Sequence, residues 1–98
     1  MSANEQPAFE VRLRSGGVRR QLDSLQEADY QRVIARLRAL ADATRPQGCE
    51  KLYDDIYRVR VGDIRVIYLV DEGKKRIEVG GIRRRSERTY RGIEGIFR

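Results

Sequence analysis

Two runs rich in β-branched and aromatic residues, Ile56-Tyr57-Arg58-Val59-Arg60-Val61 and Ile64-Arg65-Val66-Ile67-Tyr68-Leu69-Val70, are separated by only Gly62-Asp63. Strands joined by so short a link form an antiparallel hairpin, and glycine in the first turn position selects a type II′ turn. That turn fixes the register: Val61 faces Ile64, Arg60 faces Arg65, and Val59 faces Val66. Side chains alternate along a strand, so Arg58 shares the face of Arg60 and Arg65. Tyr57, Val59, Val61, Ile64, Val66 and Tyr68 fall on the other face, which is apolar and must be covered. Three arginines therefore converge on one exposed sheet face, two of them directly opposite each other. Like charges so placed repel, at a cost of roughly a few tenths to 1 kcal/mol. An anion held between them gives that arrangement a purpose.

The rest of the chain supplies the cover. Phe9-Glu10-Val11-Arg12-Leu13 alternates with period two and reads as a first strand, which Ser15-Gly16-Gly17 breaks. Val18, Leu22 and Leu25 recur at helical spacing. After a polar joint at Gln26-Glu27, Tyr30, Val33, Ile34, Leu37, Leu40 and Ala41 make a second apolar stripe, predicting a helix from Asp29 to Ala43. Its opposite face carries Arg32, Arg36, Arg38 and Asp42. The short joint predicts an antiparallel helix pair, and Arg45-Pro46-Gln47-Gly48 ends it. Beyond the hairpin, Asp71-Glu72-Gly73-Lys74 makes a turn into a strand over Arg76-Ile77-Glu78-Val79. Tyr90, Ile93, Ile96 and Phe97 recur at roughly helical intervals in the tail, predicting a short C-terminal helix. Strand, helix pair, then antiparallel strands is the pattern of a single α+β domain over residues 1–98 with its helices on one face of the sheet. Residues 1–7 are expected to be a loose N-terminus.

Charge narrows the partners. Residues 1–50 hold 8 basic and 7 acidic side chains, whereas residues 51–98 hold 13 and 8. Only Lys51, Lys74 and Lys75 are lysines. Arginine's planar fork of donors suits bidentate phosphate contacts, so a basic, arginine-dominated half points to a polyanionic partner. A solvated basic surface would have the same composition, and the converging hairpin arginines favour the phosphate site. No apolar run approaches a membrane span, and MSANEQPAFE lacks the basic start and apolar stretch of a signal peptide. Cys49 stands alone and histidine is absent, which removes disulfides, the commonest metal ligand and the commonest general acid–base. The expectation is a cytoplasmic protein with no membrane contact and no metal or other cofactor.

A second basic cluster, Gly80-Gly81-Ile82-Arg83-Arg84-Arg85-Ser86-Glu87-Arg88-Thr89-Tyr90-Arg91, follows the last expected strand. Guanidinium groups with an aromatic ring suit single-stranded nucleic acid, the ring stacking on a base. A disordered basic tail has the same composition. The loop before this segment leaves open whether Arg83 joins the hairpin arginines.

The stretch KLYDDIYRVRVGDIRVIYLVD, followed by GIRRRSERTYR, resembles the RelE/ParE superfamily of bacterial toxins, most closely its RelE-like ribosome-dependent mRNA interferases. The resemblance runs over roughly residues 8–91 and implies a RelE-like β-α-α-β-β-β fold with a mostly antiparallel sheet. It implies an endoribonuclease that cleaves mRNA in the ribosomal A site by attack of a 2′-hydroxyl on the adjacent phosphate, without a metal. The family's two basic residues before the hairpin correspond to Arg58 and Arg60, its arginine after the hairpin to Arg65, its arginine after the last strand to Arg83, and its closing tyrosine to Tyr90. Arg58, Arg65 and Arg83 would stabilise the negative charge of the phosphorane, and Tyr90 would stack on or orient a base. Relatives often carry lysine at the position of Arg60, and arginine cannot take lysine's place as a base. Glu50 lies where some other relatives place a glutamate, though an ordinary loop carboxylate is the simpler reading of it.

The resemblance also implies a cognate antitoxin in a hetero-oligomer, its segment displacing the C-terminal helix, together with contacts to ribosome-bound mRNA and ribosomal RNA. Two other outcomes stay open: a ParE-like inhibitor of DNA gyrase, and an inactive relative that only binds its antitoxin.

Overall fold

The hairpin lies at the heart of the sheet. The computed structural model describes residues 8–84, which form β1 (Glu10–Leu13), α1 (Gly16–Asp23), α2 (Glu27–Leu40), β2 (Glu50–Tyr53), β3 (Ile56–Val61), β4 (Ile64–Asp71) and β5 (Arg76–Arg84). The strands form one sheet in the order β1-β5-β4-β3-β2, with β1 parallel to β5 and every other pair antiparallel. The α+β order of strand, helix pair and mostly antiparallel sheet is as expected. The expected C-terminal helix, with Tyr90, Ile93, Ile96 and Phe97, lies outside the described residues. Among the described residues, no helix is long and apolar enough to cross a membrane.

The hairpin register is the one its turn dictates: Val61 pairs Ile64, Arg60 pairs Arg65, Val59 pairs Val66. Gly62 alone of the two turn residues has a positive φ, +64°, as type II′ requires. Both helices cover the apolar face. Val18 and Leu22 of α1 and Val33, Leu37 and Leu40 of α2 pack with Tyr57, Val59, Val61, Ile64, Val66 and Tyr68 in one core. Ser15 caps α1, its Oγ accepting from the Val18 N–H at 3.4 Å.

Three boundaries differ from expectation. α2 stops at Leu40 because the Ala41 carbonyl accepts the Phe9 N–H at 3.1 Å, which ties the start of the chain to the helix end. A short strand, β2, pairs with β3 at the sheet edge; its side chains are exposed apart from Leu52, so it carries no apolar alternation to betray it. β5 runs on to Arg84 instead of ending at Val79.

That extension contains a shift. Tyr68 pairs Val79 and Ile67 pairs Gly81, leaving Gly80 as an extra residue in β5. A one-residue insertion reverses which face each later side chain takes. Were Gly80 instead paired regularly opposite Ile67, Ile82 would leave the core and Arg83 would enter it. With the insertion, Ile82 is 5% exposed and packed in the main core, and Arg83 pairs with Arg65 on the opposite face.

Tyr68 locks the centre. It is fully buried, stacks on Tyr57 with centroids 5.9 Å apart, and donates its hydroxyl to the Thr44 carbonyl at 2.7 Å. Burial pushes its phenol pKa well above the ordinary value, so the hydroxyl stays a donor. Tyr68→Phe strands that carbonyl and should cost about 1–2 kcal/mol. Urea unfolding should show a lower midpoint at an unchanged slope.

Candidate functional site

On the face away from the helices, cross-strand pairing sets out rows of side chains. Arg60, Arg65 and Arg83 stand in register on β3, β4 and β5. The adjacent row contains Glu50, Arg58, Ile67 and Gly81. The structure thus brings Arg58, Arg60, Arg65, Arg83 and Glu50 together on one face, and it settles the open register in favour of Arg83 joining the hairpin arginines. Tyr90 lies outside the described residues, as do Arg85, Arg88 and Arg91.

The four arginines are not equally exposed, which corrects the expectation of an exposed arginine face. Arg60 is exposed, Arg58 and Arg83 are half-buried, and Arg65 is only 7% exposed. Arg65 lies along the central strand, and its Nη1 donates to the Gly62 carbonyl at 3.3 Å. Arg58 Nη2 donates to Glu50 Oε1, so the carboxylate belongs to the site through an ion pair with its cross-strand neighbour. Arg83 Nε is buried with no hydrogen-bond partner among the described residues. Gly81 makes room for it: a Cβ on Gly81 would stand 3.4 Å from Arg83 Nε and 3.8 Å from Ile67 Cδ1. The arginine therefore lies down across the sheet.

Beneath the arginines, Ile56 and Ile67 are buried on this same face, with Leu52 and Leu69 packed against them. Further along, cations and carboxylates alternate: Arg14 Nη1 lies 2.7 Å from Glu78 Oε1, and Arg76 Nε lies 3.4 Å from Glu10 Oε1. In the Arg60–Arg65–Arg83 row the cross-strand register puts no carboxylate at all. Positive charge is thus concentrated at one end of the face over a low-dielectric bed, where it acts more strongly than in open water. A pocket of about 600 Å³, lined by Gln21, Ser24, Leu25, Ile64, Ile82, Arg83 and Arg84, opens beside Arg83.

Sequence reasoning missed Gly80 and Gly81. Their signal was present: the apolar positions switch from odd (Ile77, Val79) to even (Ile82) across the glycine pair. Tyr57 and Tyr68 lie in the core, as their place on the apolar face implied, and Cys49 is half-buried against it.

No curated protein matches the chain significantly by sequence. The fold recurs in solved toxin structures. A chain of the archaeal RelE–RelB complex from Pyrococcus horikoshii OT3 superposes with a TM-score of 0.71 at 28% identity, over 82% of this chain and 98% of that one. The isolated E. coli RelE toxin gives 0.71 at 15% identity, over 92% and 97%. A chain of the RelBE2 complex from Mycobacterium tuberculosis gives 0.68 at 18%, over 82% and 100%. The last two likenesses speak for the fold alone. The family model described as the ParE toxin of the type II toxin–antitoxin system, parDE, matches residues 15–89. With most of its length under that model and a RelE-like fold around its arginine row, the chain belongs to the ParE toxin family of type II toxin–antitoxin systems, within the RelE/ParE superfamily.

Proposed function

We propose that this toxin is an endoribonuclease of the cytoplasm that cuts mRNA in the ribosomal A site and so stops translation. The observation that carries this reading is the in-register row Arg60–Arg65–Arg83, with the Arg58–Glu50 pair beside it. In the cut, a ribose 2′-oxygen bonds to the adjacent phosphorus as its proton leaves. The bond from phosphorus to the 5′-oxygen breaks, and that oxygen takes up a proton. Negative charge builds on the phosphate oxygens at the midpoint. In this reading Arg58, Arg65 and Arg83, on three adjacent strands, meet that charge, each such donor contributing about 10²–10³ in rate.

Arg60 serves as a phosphate contact through its planar fork of donors. Glu50 is a carboxylate within the site, and its pairing with Arg58 suits it to two roles: proton acceptor, or anchor that orients Arg58. Tyr90 is assigned base stacking by resemblance. The partner is a cognate antitoxin in a hetero-oligomer, as in the RelE–RelB and RelBE2 complexes that share the fold.

The family model that matches is that of ParE, which favours a second reading, inhibition of DNA gyrase without nuclease chemistry. Brief expression of the chain in a bacterium separates the two. Growth arrest with new mRNA 5′ ends inside translated codons is the expected result. Loss of plasmid supercoiling with intact mRNA would establish the gyrase reading instead.

A further inference from the structure

β2 ends its pairing with β3 at Arg58, so Arg60 stands where β3 has become the edge of the sheet. There its side chain lines a groove of about 400 Å³ together with Arg32, Ala35, Arg36 and Ala39 of α2 and Val61 and Gly62 of the hairpin. None of the described lining residues is acidic. Arg32 and Arg36 lie one helical turn apart, as do Ala35 and Ala39, whose small side chains leave the groove open. Like charges at that helical spacing repel by about 0.2–0.5 kcal/mol, so the helix alone gives no reason for the arrangement.

The groove is held in shape from one side. Arg32 Nη2 bonds Asp29 Oδ1, and Asp29 also faces Arg84 Nη2 at 3.9 Å. The Arg32 guanidinium lies against the hairpin tip, where a Cβ on Gly62 would come within 3.4 Å of Nη2. Arg36 and Arg60, by contrast, make no hydrogen bond or ion pair among the described residues. Among the described residues, the groove therefore has one anchored guanidinium group and two without a partner. Arg60 belongs both to this groove and to the arginine row, so the two basic surfaces are continuous around the β3 edge.

An open, shallow channel with spaced cations matches a chain of phosphates better than a single small anion. We propose that the groove holds RNA phosphodiester backbone, continuing the path of the strand that lies on the arginine row. This rests on the RNA reading above. The backbone can belong to the mRNA or to ribosomal RNA, and the chemistry of recognition is the same.

The test is binding of a fluorescein-labelled 15-nucleotide oligouridylate, and separately of vacant ribosomes, over a range of salt. Arg32→Gln/Arg36→Gln is compared with Arg19→Gln/Arg20→Gln on α1, which removes the same charge outside the groove. The groove variant should lose about 1.4 from the salt slope, roughly 0.7 per phosphate contact, and bind at least tenfold more weakly near 0.1 M salt. Arg36→Gln alone, which breaks no ion pair, should lose about half of that slope. Loss with the oligonucleotide assigns the groove to the mRNA strand; loss with ribosomes only assigns it to ribosomal RNA. Equal losses in the two double variants, or none in either assay, would overturn the proposal. Wild-type protein that binds RNA but never cuts it would strike the cleavage reading and leave the groove standing.

Discussion

Arg83→Ala should slow cleavage of ribosome-bound mRNA by about 10²–10³-fold, equivalent to about 3–4 kcal/mol of lost transition-state stabilisation. Arg83 stands beside Arg65 in the row, and its Nε is buried over Gly81 with no acceptor among the described residues. A donor with no acceptor among the described residues can give its hydrogen bond to the substrate as charge develops there, which is the condition for lowering a barrier. The same fact predicts that folding survives the change, because no hydrogen bond from that Nε to a described residue is broken. Thermal unfolding should move by a few degrees at most while cleavage falls. Arg83→Lys should restore little, since one ammonium cannot reproduce the planar fork. A rate within threefold of wild type would remove Arg83 from the chemistry.

Inserting one glycine between Gly81 and Ile82 should be more damaging, since it strikes fold and site together. Gly80 is already the extra residue of β5, and Gly81, Ile82 and Arg83 pair Ile67, Val66 and Arg65 beyond it. If that bulge is kept, the added residue takes the place opposite Val66, so Ile82 turns outward and Arg83 enters the core. A buried unpaired guanidinium makes that arrangement prohibitive. If the bulge closes instead, Ile82 stays inward but Arg83 slides past Arg65 to the hairpin turn. If the strand end detaches, the burial of Ile82 is lost, about 1.5–3 kcal/mol. In each case Arg83 no longer stands beside Arg65, and cleavage should drop to background. Deleting Gly80 should spare the site, because Val79, Gly81, Ile82 and Arg83 then alternate regularly in the same register. Full activity of the insertion variant would show that Arg83 does not act from its place beside Arg65.

The hairpin was legible to the residue. A two-residue turn leaves no freedom in register, so the Arg60–Arg65 opposition and the apolar face followed from local rules. The end of β5 was harder, because a pair of glycines reads as a strand terminus when only propensity is weighed. The change in parity between Val79 and Ile82 marks the insertion, and it has meaning only once β4 is known to be long enough to pair beyond it. The burial of Arg65 was not legible. It depends on neighbours from both flanking strands and on a guanidinium turned toward the Gly62 carbonyl. Nor was the groove at Arg60, which exists because β2 is short and α2 crosses the hairpin at Arg32. Alternation tells which face a side chain takes, but an edge arginine can serve two faces.

Glu50 shows the same limit from another side. Its sequence position allowed a loop carboxylate or a site residue, and pairing with Arg58 across β2 and β3 places it on the arginine face. That placement is a property of an exposed edge strand with almost no apolar signal of its own.

The central claim is that the arginine row acts on RNA phosphate. Its most direct test mixes the purified wild-type chain with ribosomes stalled on a defined mRNA with an empty A site, and reads the chemical ends of the products. A single cut within the A-site codon is expected, leaving a 2′,3′-cyclic phosphate upstream and a 5′-hydroxyl downstream. Intact mRNA, from protein that in parallel blocks supercoiling by purified gyrase, would contradict it.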